Sequence, residues 1–306
     1  MYRNYNESNN KIRETYKKML QNQTLENVQL CKKNLIENQP YKVNIWDLLI
    51  KLNTIVDDSD PDTNLPQIIH LHQTAQSIKN NYIYHDYKLF DIPIKKLFSN
   101  EEWCQLPEKY QLLYNTTIPK LYKHITDWRW FILVGFIHDL GKILLLPEYG
   151  NNPQWKVVGD TFPLGAKLSK NYPFYNENYH INNPDLIIDT FINNTGFDNM
   201  IFSWGHDEYL AKILELNNTN LPKEAIYIIR YHSFYSWHSP STNIRGYTNI
   251  ASEKDWFMLP LLKCFQKSDL YSKSNIIPSM EYIKQNYNYL FDIYIPNKDL
   301  NIYSCF

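Results

Sequence analysis

The chain has few cysteines, almost no net charge and no long apolar run. The four cysteines show no CxxC or Cys/His ligand spacing, which argues against disulfides and a zinc knuckle and favours reduced cytosolic thiols; they are Cys31, Cys104, Cys264 and Cys305. The formal charge of -1 gives no general case for nucleic acid or an anionic membrane as partner. The longest apolar run, near 130–137, falls far short of the roughly 20 residues that a membrane span needs. The N-terminus lacks the apolar core of a signal peptide. We therefore expect a soluble, cytoplasmic monomer.

The sequence predicts a mostly α, single-domain fold with a few short strands or hairpins. Polar and apolar residues seldom alternate strictly, whereas helical spacing recurs along the chain. The expected helices are 10–36 (a polar surface helix), 44–56, 66–80, one that begins after an N-cap at Asp127 and stops at Gly141, and then 185–193, 206–217, 222–236, 253–273 and 279–292. A long connecting loop is expected over 147–185, which is rich in Pro, Gly, Asn and Tyr.

The step His138-Asp139 follows the apolar segment 130–137 and is closed by Leu140-Gly141-Lys142. An imidazole and a carboxylate are costly to bury unless something compensates them, and a metal ion compensates both. For an isolated pair, a satisfied core histidine beside a helix-terminal aspartate would be the better interpretation.

Further candidate ligands lie on separate helical segments; they are His70, His206, His232 and Asp269. Six nitrogen and oxygen ligands are too many for one catalytic metal that keeps open positions, and they suit two metals sharing a carboxylate. Imidazole and carboxylate without thiolate favour iron, manganese or zinc.

With these residues the chain resembles the myo-inositol oxygenase family, di-iron members of the HD-domain superfamily. The resemblance covers nearly all of 1–306, as one catalytic domain with an HD-domain-like helical fold. Its motifs are Tyr2-Arg3-Asn4-Tyr5, 57–62, the His70 segment, 138–142, 155–163, 203–209, 230–238 and 269–273. One departure from the family pattern is an insertion at 81–126, interpreted as a surface segment that packs on itself rather than as a lid or a partner contact.

The resemblance implies a mixed-valent Fe(II)/Fe(III) pair. His70, His138 and Asp269 would ligate one iron, His206 and His232 the other, and Asp139 would bridge them. Asp207 is expected outside the ligand set, at a helix cap or orienting a ligand imidazole. The other histidines are not expected to bind metal; they are His72, His85, His124, His180 and His238.

The implied reaction is a four-electron cleavage of the myo-inositol ring by O2, which yields D-glucuronate in inositol catabolism. Lys142 and Asp139 would be catalytic. The substrate contacts implied by the family match are Arg3, Asp57, Asp58, Ser59, Lys142, Gly159, Asp160, His232, Ser233 and Lys273.

Three alternatives stay open at this point. An HD-type metal-dependent phosphohydrolase would share the metal ligands but would want a basic pocket for a charged substrate. An oxygenase acting on another cyclitol cannot be separated from one acting on myo-inositol by sequence. A non-catalytic scaffold is disfavoured because all six candidate ligands are intact.

Overall fold

The structure is a computed structural model that describes residues 10–59, 66–166, 170, 172–187, 194–238, 247–270 and 277–304. The α-helices in this part of the chain are α1 Asn10–Asn22, α2 Leu25–Glu37, α3 Ile45–Lys51, α4 Gln67–Tyr82, α5 Asn100–Cys104, α6 Glu108–Leu113, α7 Ile118–Leu121, α8 Arg129–Ile137, α9 Gln154–Val157, α10 Tyr179–Asn182, α11 His206–Leu216, α12 Lys223–Tyr231, α13 Tyr235–His238, α14 Glu253–Leu270 and α15 Met280–Tyr294. Two strands, β1 Tyr41–Asn44 and β2 Asp299–Ile302, pair antiparallel. The mostly α fold predicted from the sequence is confirmed.

Helix α8 lies at the centre of the fold. Every residue from Trp130 to Ile137 is buried, because this helix is apolar on all sides. Helix α4 crosses it closely at Gly135, where an added Cβ would lie 2.8 Å from Ile78 Cδ1 and 3.0 Å from Ala75 Cα. The glycine therefore sets the distance between the two helices that carry His70 and His138.

The region 10–36 forms two helices, so the prediction of one polar surface helix was wrong. Thr24 separates them, because its side chain accepts a hydrogen bond from the backbone N–H of Asn27 and caps α2. Both helices also bury one face, through Tyr16 and Met19 in α1 and Val28 in α2.

Other predicted helices differ from the structure or extend beyond the residues that it describes. Helix α8 ends at Ile137 and a 3-10 segment, Leu140–Leu145, follows it, so the helix does not continue to Gly141. The predicted helix 222–236 is divided between α12 and α13. Residues 188–193 of the predicted helix 185–193 lie outside the described residues, as do 271–273 of the predicted helix 253–273.

The segment 81–126 packs against α14 and not only on itself. The ring of Tyr110 stacks on Trp256 at a centroid distance of 4.3 Å. Tyr114 and Tyr122, both fully buried, donate hydrogen bonds to the backbone carbonyls of Trp256 and Phe257. The bounds of an insertion here stay a prediction.

Among the helices described, none is both long and apolar enough to span a membrane.

Candidate metal and substrate site

All six predicted metal ligands lie in one cluster, each at or near the end of a helix; five of them are buried and His70 is partly buried. His70 is in the first turn of α4, and His206 is the first residue of α11. His138 and His232 are the residues that directly follow α8 and α12. Asp139 comes next after His138, and Asp269 is in the last turn of α14. Five separate elements therefore converge on one point.

The ligand atoms form two groups on either side of Asp139. On one side, Asp269 Oδ1 lies 3.0 Å from His70 Nε2 and 3.1 Å from His138 Nε2. On the other side, His206 Nε2 lies 3.1 Å from His232 Nε2. Neighbouring ligands of an ion about 2.1 Å away lie about 3 Å apart when they subtend a right angle. These spacings fit metal coordination.

Asp139 faces both groups with different oxygens. Its Oδ2 lies 3.7 Å from His70 Nε2 and 3.5 Å from His138 Nε2. Its Oδ1 lies 3.3 Å from His206 Nε2 and 3.8 Å from His232 Nε2. This orientation suits a carboxylate that bridges two ions.

In three of the candidate ligand histidines, the ring nitrogen that points away from the cluster, Nδ1, forms a hydrogen bond with a backbone carbonyl. The carbonyl oxygen that accepts from Nδ1 belongs to Gly135 for His138 (3.0 Å), to Val157 for His206 (2.8 Å) and to Ile229 for His232 (2.8 Å). In the neutral rings each Nε2 then presents a lone pair to the cluster. Two facing lone pairs 3.1 Å apart repel each other unless a cation lies between them, so the donor set fits metal binding.

The carboxylates of the cluster are held ionised by their neighbours. Burial by itself would raise the pKa of Asp139, but the Lys142 ammonium and the His138 ring outweigh it and hold the pKa well below its usual range. The pKa of Asp269 is likewise lowered against the effect of burial, by His138 and His70. Ionised carboxylates are the form that binds a metal.

Lys142 is fixed between two buried carboxylates. Its Nζ lies 2.7 Å from Asp57 Oδ2 and 2.8 Å from Asp139 Oδ2. Burial would lower the pKa of Lys142, but Asp139 and Asp57 raise it, so the ammonium stays protonated. Ser59 in turn donates from its hydroxyl to Asp57 Oδ1 at 2.6 Å. The structure thus joins Asp57, Ser59 and Lys142 to the cluster as one hydrogen-bonded group.

Gly141 lets the 3-10 segment after Asp139 approach α11. A Cβ at this position would lie 1.9 Å from the carbonyl oxygen of His206. The glycine was predicted as a helix stop, whereas the structure uses it for a close backbone contact. That contact sets how far His206 lies from Asp139.

Both carboxylate oxygens of Asp160 accept hydrogen bonds from tyrosines. Tyr16 donates to Oδ1 at 2.8 Å, and Tyr172 donates to Oδ2 at 3.1 Å. Gly159 has a φ of +96°, which favours glycine, and its Cβ position faces Met19 Sδ at 2.9 Å. Sequence reasoning missed both tyrosines. Helical spacing could have placed Tyr16 on a buried face, but nothing local points to a partner 144 residues away.

Ser233 and Asp207 join the Asp160 loop to the histidines. Ser233 Oγ lies 3.4 Å from His206 Nε2, and its carbonyl accepts from the N–H of Thr161 at 2.9 Å. The Thr161 hydroxyl donates to Asp207, which also accepts from the N–H of Glu208 at 2.9 Å. Asp207 thus lies at the start of α11 and fixes the neighbouring loop.

The remaining predicted substrate contacts are less central or lie outside the described residues. Asp58 forms a 2.6 Å ion pair with Lys11, and its backbone N–H donates a hydrogen bond to Gln154 Oε1 at 3.1 Å. It lines an open cavity of about 460 Å³ beside α1. Arg3 and Lys273 lie outside the described residues.

The other histidines have different surroundings. His72 Nδ1 accepts from the Tyr287 hydroxyl at 2.9 Å, and His124 Nε2 lies 3.1 Å from Glu224. His85 is exposed, and His180 is buried within α10. His238 contacts the backbone of the candidate ligand His232, with 2.8 Å between its Nε2 and that carbonyl oxygen.

The chain is similar to known proteins over most of its length. A family model described as myo-inositol oxygenase matches residues 9–92 and 102–302. The inositol oxygenase of Dictyostelium discoideum is 35% identical over 303 residues, which cover 97% of this chain and 88% of that protein. Inositol oxygenase 2 of Arabidopsis thaliana is 34% identical over 292 residues, with 94% and 77% covered. The inositol oxygenase of Mus musculus is 33% identical over 289 residues, with 92% and 84% covered. The chain therefore belongs to the myo-inositol oxygenase family.

Proposed function

We propose that this chain is a myo-inositol oxygenase that cleaves the substrate ring with O2 to form D-glucuronate and water. One oxygen atom enters the new carboxylate and the other leaves as water, while one carbon–carbon bond of the ring breaks. The observation that carries the proposal is the placement of Asp139, whose two oxygens face two separate groups of imidazole nitrogens. Membership of the family supports the same activity.

In this proposal the metals are two irons. His70, His138 and Asp269 would hold one, His206 and His232 the other, and Asp139 would bridge them. When bound, the iron pair would supply Lewis-acid polarisation of the substrate and the electrons that activate O2. Each ring nitrogen already faces the cluster, so the protein does not need to reorganise these side chains to bind.

Lys142 would act beside the cluster as a stable positive charge. Because Asp57 and Asp139 hold its ammonium in place, it can stabilise negative charge that develops on a substrate oxygen near Asp139. The same two ion pairs leave this charge compensated. A phosphate ester needs uncompensated positive charge in its binding site. The compensated charge of Lys142 therefore favours a neutral polyol as substrate over the phosphate ester of the phosphohydrolase alternative.

Substrate recognition would depend on polar groups of fixed orientation. Asp160, held by Tyr16 and Tyr172, can accept a hydrogen bond from a substrate hydroxyl. Asp57, Asp58, Ser59, Gly159, Ser233 and the ligand residue His232 complete the proposed contacts, with Arg3 and Lys273. Buried polar groups that lose their partners give strong discrimination between polyols. The cytoplasmic location and the monomeric state stay predictions.

An oxygen-electrode assay of iron-loaded, partly reduced protein tests the function. We expect O2 uptake on addition of myo-inositol, with uronate formed in equal amount. Release of phosphate from nucleotides without O2 uptake would support the phosphohydrolase instead. Faster O2 uptake with a different cyclitol would keep the oxygenase chemistry but refute the substrate.

A further inference from the structure

Three hydrogen-bonded side chains connect the segment 81–126 to the backbone of His232. Glu102 Oε1, in α5, lies 2.8 Å from Lys263 Nζ in α14. The same Nζ donates to the carbonyl of His238 at 3.1 Å. His238 Nε2 donates to the carbonyl of His232 at 2.8 Å. We call these side chains the Glu102–Lys263–His238 network.

Lys263 is an unusual residue for its position. It is 6% exposed, and its neighbours in α14, Leu262 and Cys264, are buried apolar residues. Its Nζ also lies 4.7 Å from the centre of the Phe98 ring. An apolar side chain of similar volume often stabilises such a position as well as a buried ion pair does, so stability alone does not account for the lysine. Its directed hydrogen bonds indicate a role in fixing geometry.

The carboxylate of Glu102 is fixed by a capping box with Ser99. Its second oxygen, Oε2, accepts from the N–H of Ser99 at 2.8 Å, while the Ser99 hydroxyl accepts from the N–H of Glu102. This reciprocal capping box fixes the carboxylate at the start of α5. The negative charge therefore stands at a defined place opposite Lys263.

His238 is fully buried and transmits the contact to the metal ligand. Its Nε2–H faces the carbonyl oxygen of His232, 2.8 Å away. His232 follows the last residue of α12, and its Nδ1 is bonded to Ile229 in the last turn of that helix. The contact with His238 thus fixes the backbone of His232, and the contact with Ile229 fixes its ring.

We propose that Lys263 and His238 are positioning residues for His232 and that Glu102 supplies the charge that holds them. The inference rests on the proposed function only in taking His232 as a ligand of one of two irons. In this proposal the segment 81–126 helps to fix the position of His232 without itself supplying a metal ligand.

Anaerobic titration with Fe(II), alongside thermal unfolding, tests this role. We expect wild-type protein to bind two equivalents. Lys263→Met and His238→Phe should weaken one equivalent about 10–100-fold, as changes to groups that orient ligands do, and leave the other unchanged. His238→Gln keeps a donor nitrogen near the position of Nε2 and should restore much of the lost affinity.

Two further variants separate positioning from general stability. Lys109→Met removes an exposed ion pair with Glu253 between the same segment and the same helix, and should bind both equivalents as wild type does. Glu102→Gln keeps the shape of a side chain near the surface and should weaken the same single equivalent by a smaller factor. Unchanged iron binding in Lys263→Met, or equal weakening of both equivalents in step with a lower Tm, would overturn the proposal.

The outcome is independent of turnover. Wild-type protein that binds two irons but takes up no O2 with myo-inositol would refute the proposed function and leave this inference standing. Oxygenase activity in wild type, together with unchanged iron affinity in the variants, would refute this inference alone.

Discussion

A methyl group added at Gly141 would lie 1.9 Å from the carbonyl oxygen of His206, 2.7 Å from its carbonyl carbon and 2.9 Å from its Cα. All three atoms are backbone, so no side-chain rotation can relieve the contact. Gly141→Ala must therefore push the 3-10 segment Leu140–Leu145 away from the first residue of α11. Asp139 and His206 stand on the two sides of that contact.

The size of the movement follows from the distances. Non-bonded carbon and oxygen rarely approach within about 3 Å, so the two segments must part by about 1 Å or more. The gap between His206 Nε2 and Asp139 Oδ1 is 3.3 Å. Metal–ligand distances tolerate changes of only about 0.2 Å. A shift of about 1 Å in a reacting site can cost about 100-fold in rate, and overpacking costs typically about 1–3 kcal/mol of stability.

The assay compares Gly141→Ala with Gly196→Ala. Gly196 has a φ of +85° and its Cβ position faces Ser252 at 3.0 Å, so alanine there also destabilises the fold, but away from the cluster. We expect Gly141→Ala to bind iron more weakly at the His206 side and to lose about 100-fold in kcat. Gly196→Ala should lower Tm and leave iron binding intact. Normal iron content and turnover in Gly141→Ala, or equal losses in both variants, would refute the reasoning.

Four other variants test separate parts of the site and fold. Asp139→Ala should lose both irons, because it removes the bridging carboxylate, whereas His72→Ala should keep them; metal analysis showing the reverse would refute the ligand set. Tyr172→Phe should raise KM for myo-inositol up to about 10-fold with little change in kcat, since Asp160 loses a hydrogen bond worth about 1 kcal/mol; an unchanged KM would exclude Asp160 from binding. Burial lowers the pKa of His180 below 6.5, so only the unfolded chain gains that proton as pH falls through 6.5, and stability falls with it. In His180→Phe, the unfolding free energy should therefore decline less between about pH 7 and pH 5 than in wild type. The difference should be about 1.4 kcal/mol for each unit by which the pKa of His180 is lowered. Parallel pH profiles of unfolding free energy for the two proteins would contradict this.

The helical class could be predicted because its signals are local, whereas the convergence of all six candidate ligands was an expectation from the family resemblance. His138 and Asp139 are adjacent in sequence and follow an apolar helix, which already places them at a buried helix end. The helix boundaries were less predictable. Thr24 divides α1 from α2 by a single side-chain cap, and in an Asn-rich chain many residues could cap a helix equally well.

Contacts between distant residues could not be predicted, because no sequence pattern encodes them. In the sequence, a glycine that ends a helix cannot be distinguished from one that allows a close backbone contact. Only the fold shows that His206 lies beside Gly141. Lys263 likewise gives no sign that its carboxylate partner, Glu102, is 161 residues away. Local patterns define faces and ends of helices, whereas the choice of partner follows from tertiary packing.

The position of the cluster at helix ends explains how backbone carbonyls orient three of its imidazoles. The last turn of a helix leaves carbonyls without intrahelical partners. His138 and His232 each follow such a turn, and each Nδ1 donates to the carbonyl three residues before it. His206 begins a helix, where free N–H groups and not carbonyls are found, and its Nδ1 instead uses the carbonyl of Val157 at the end of α9. Backbone groups that a helix end would otherwise leave to water therefore fix the ring orientation, and a change that extended α8 or α12 by one turn would remove the acceptor as well as move the ligand.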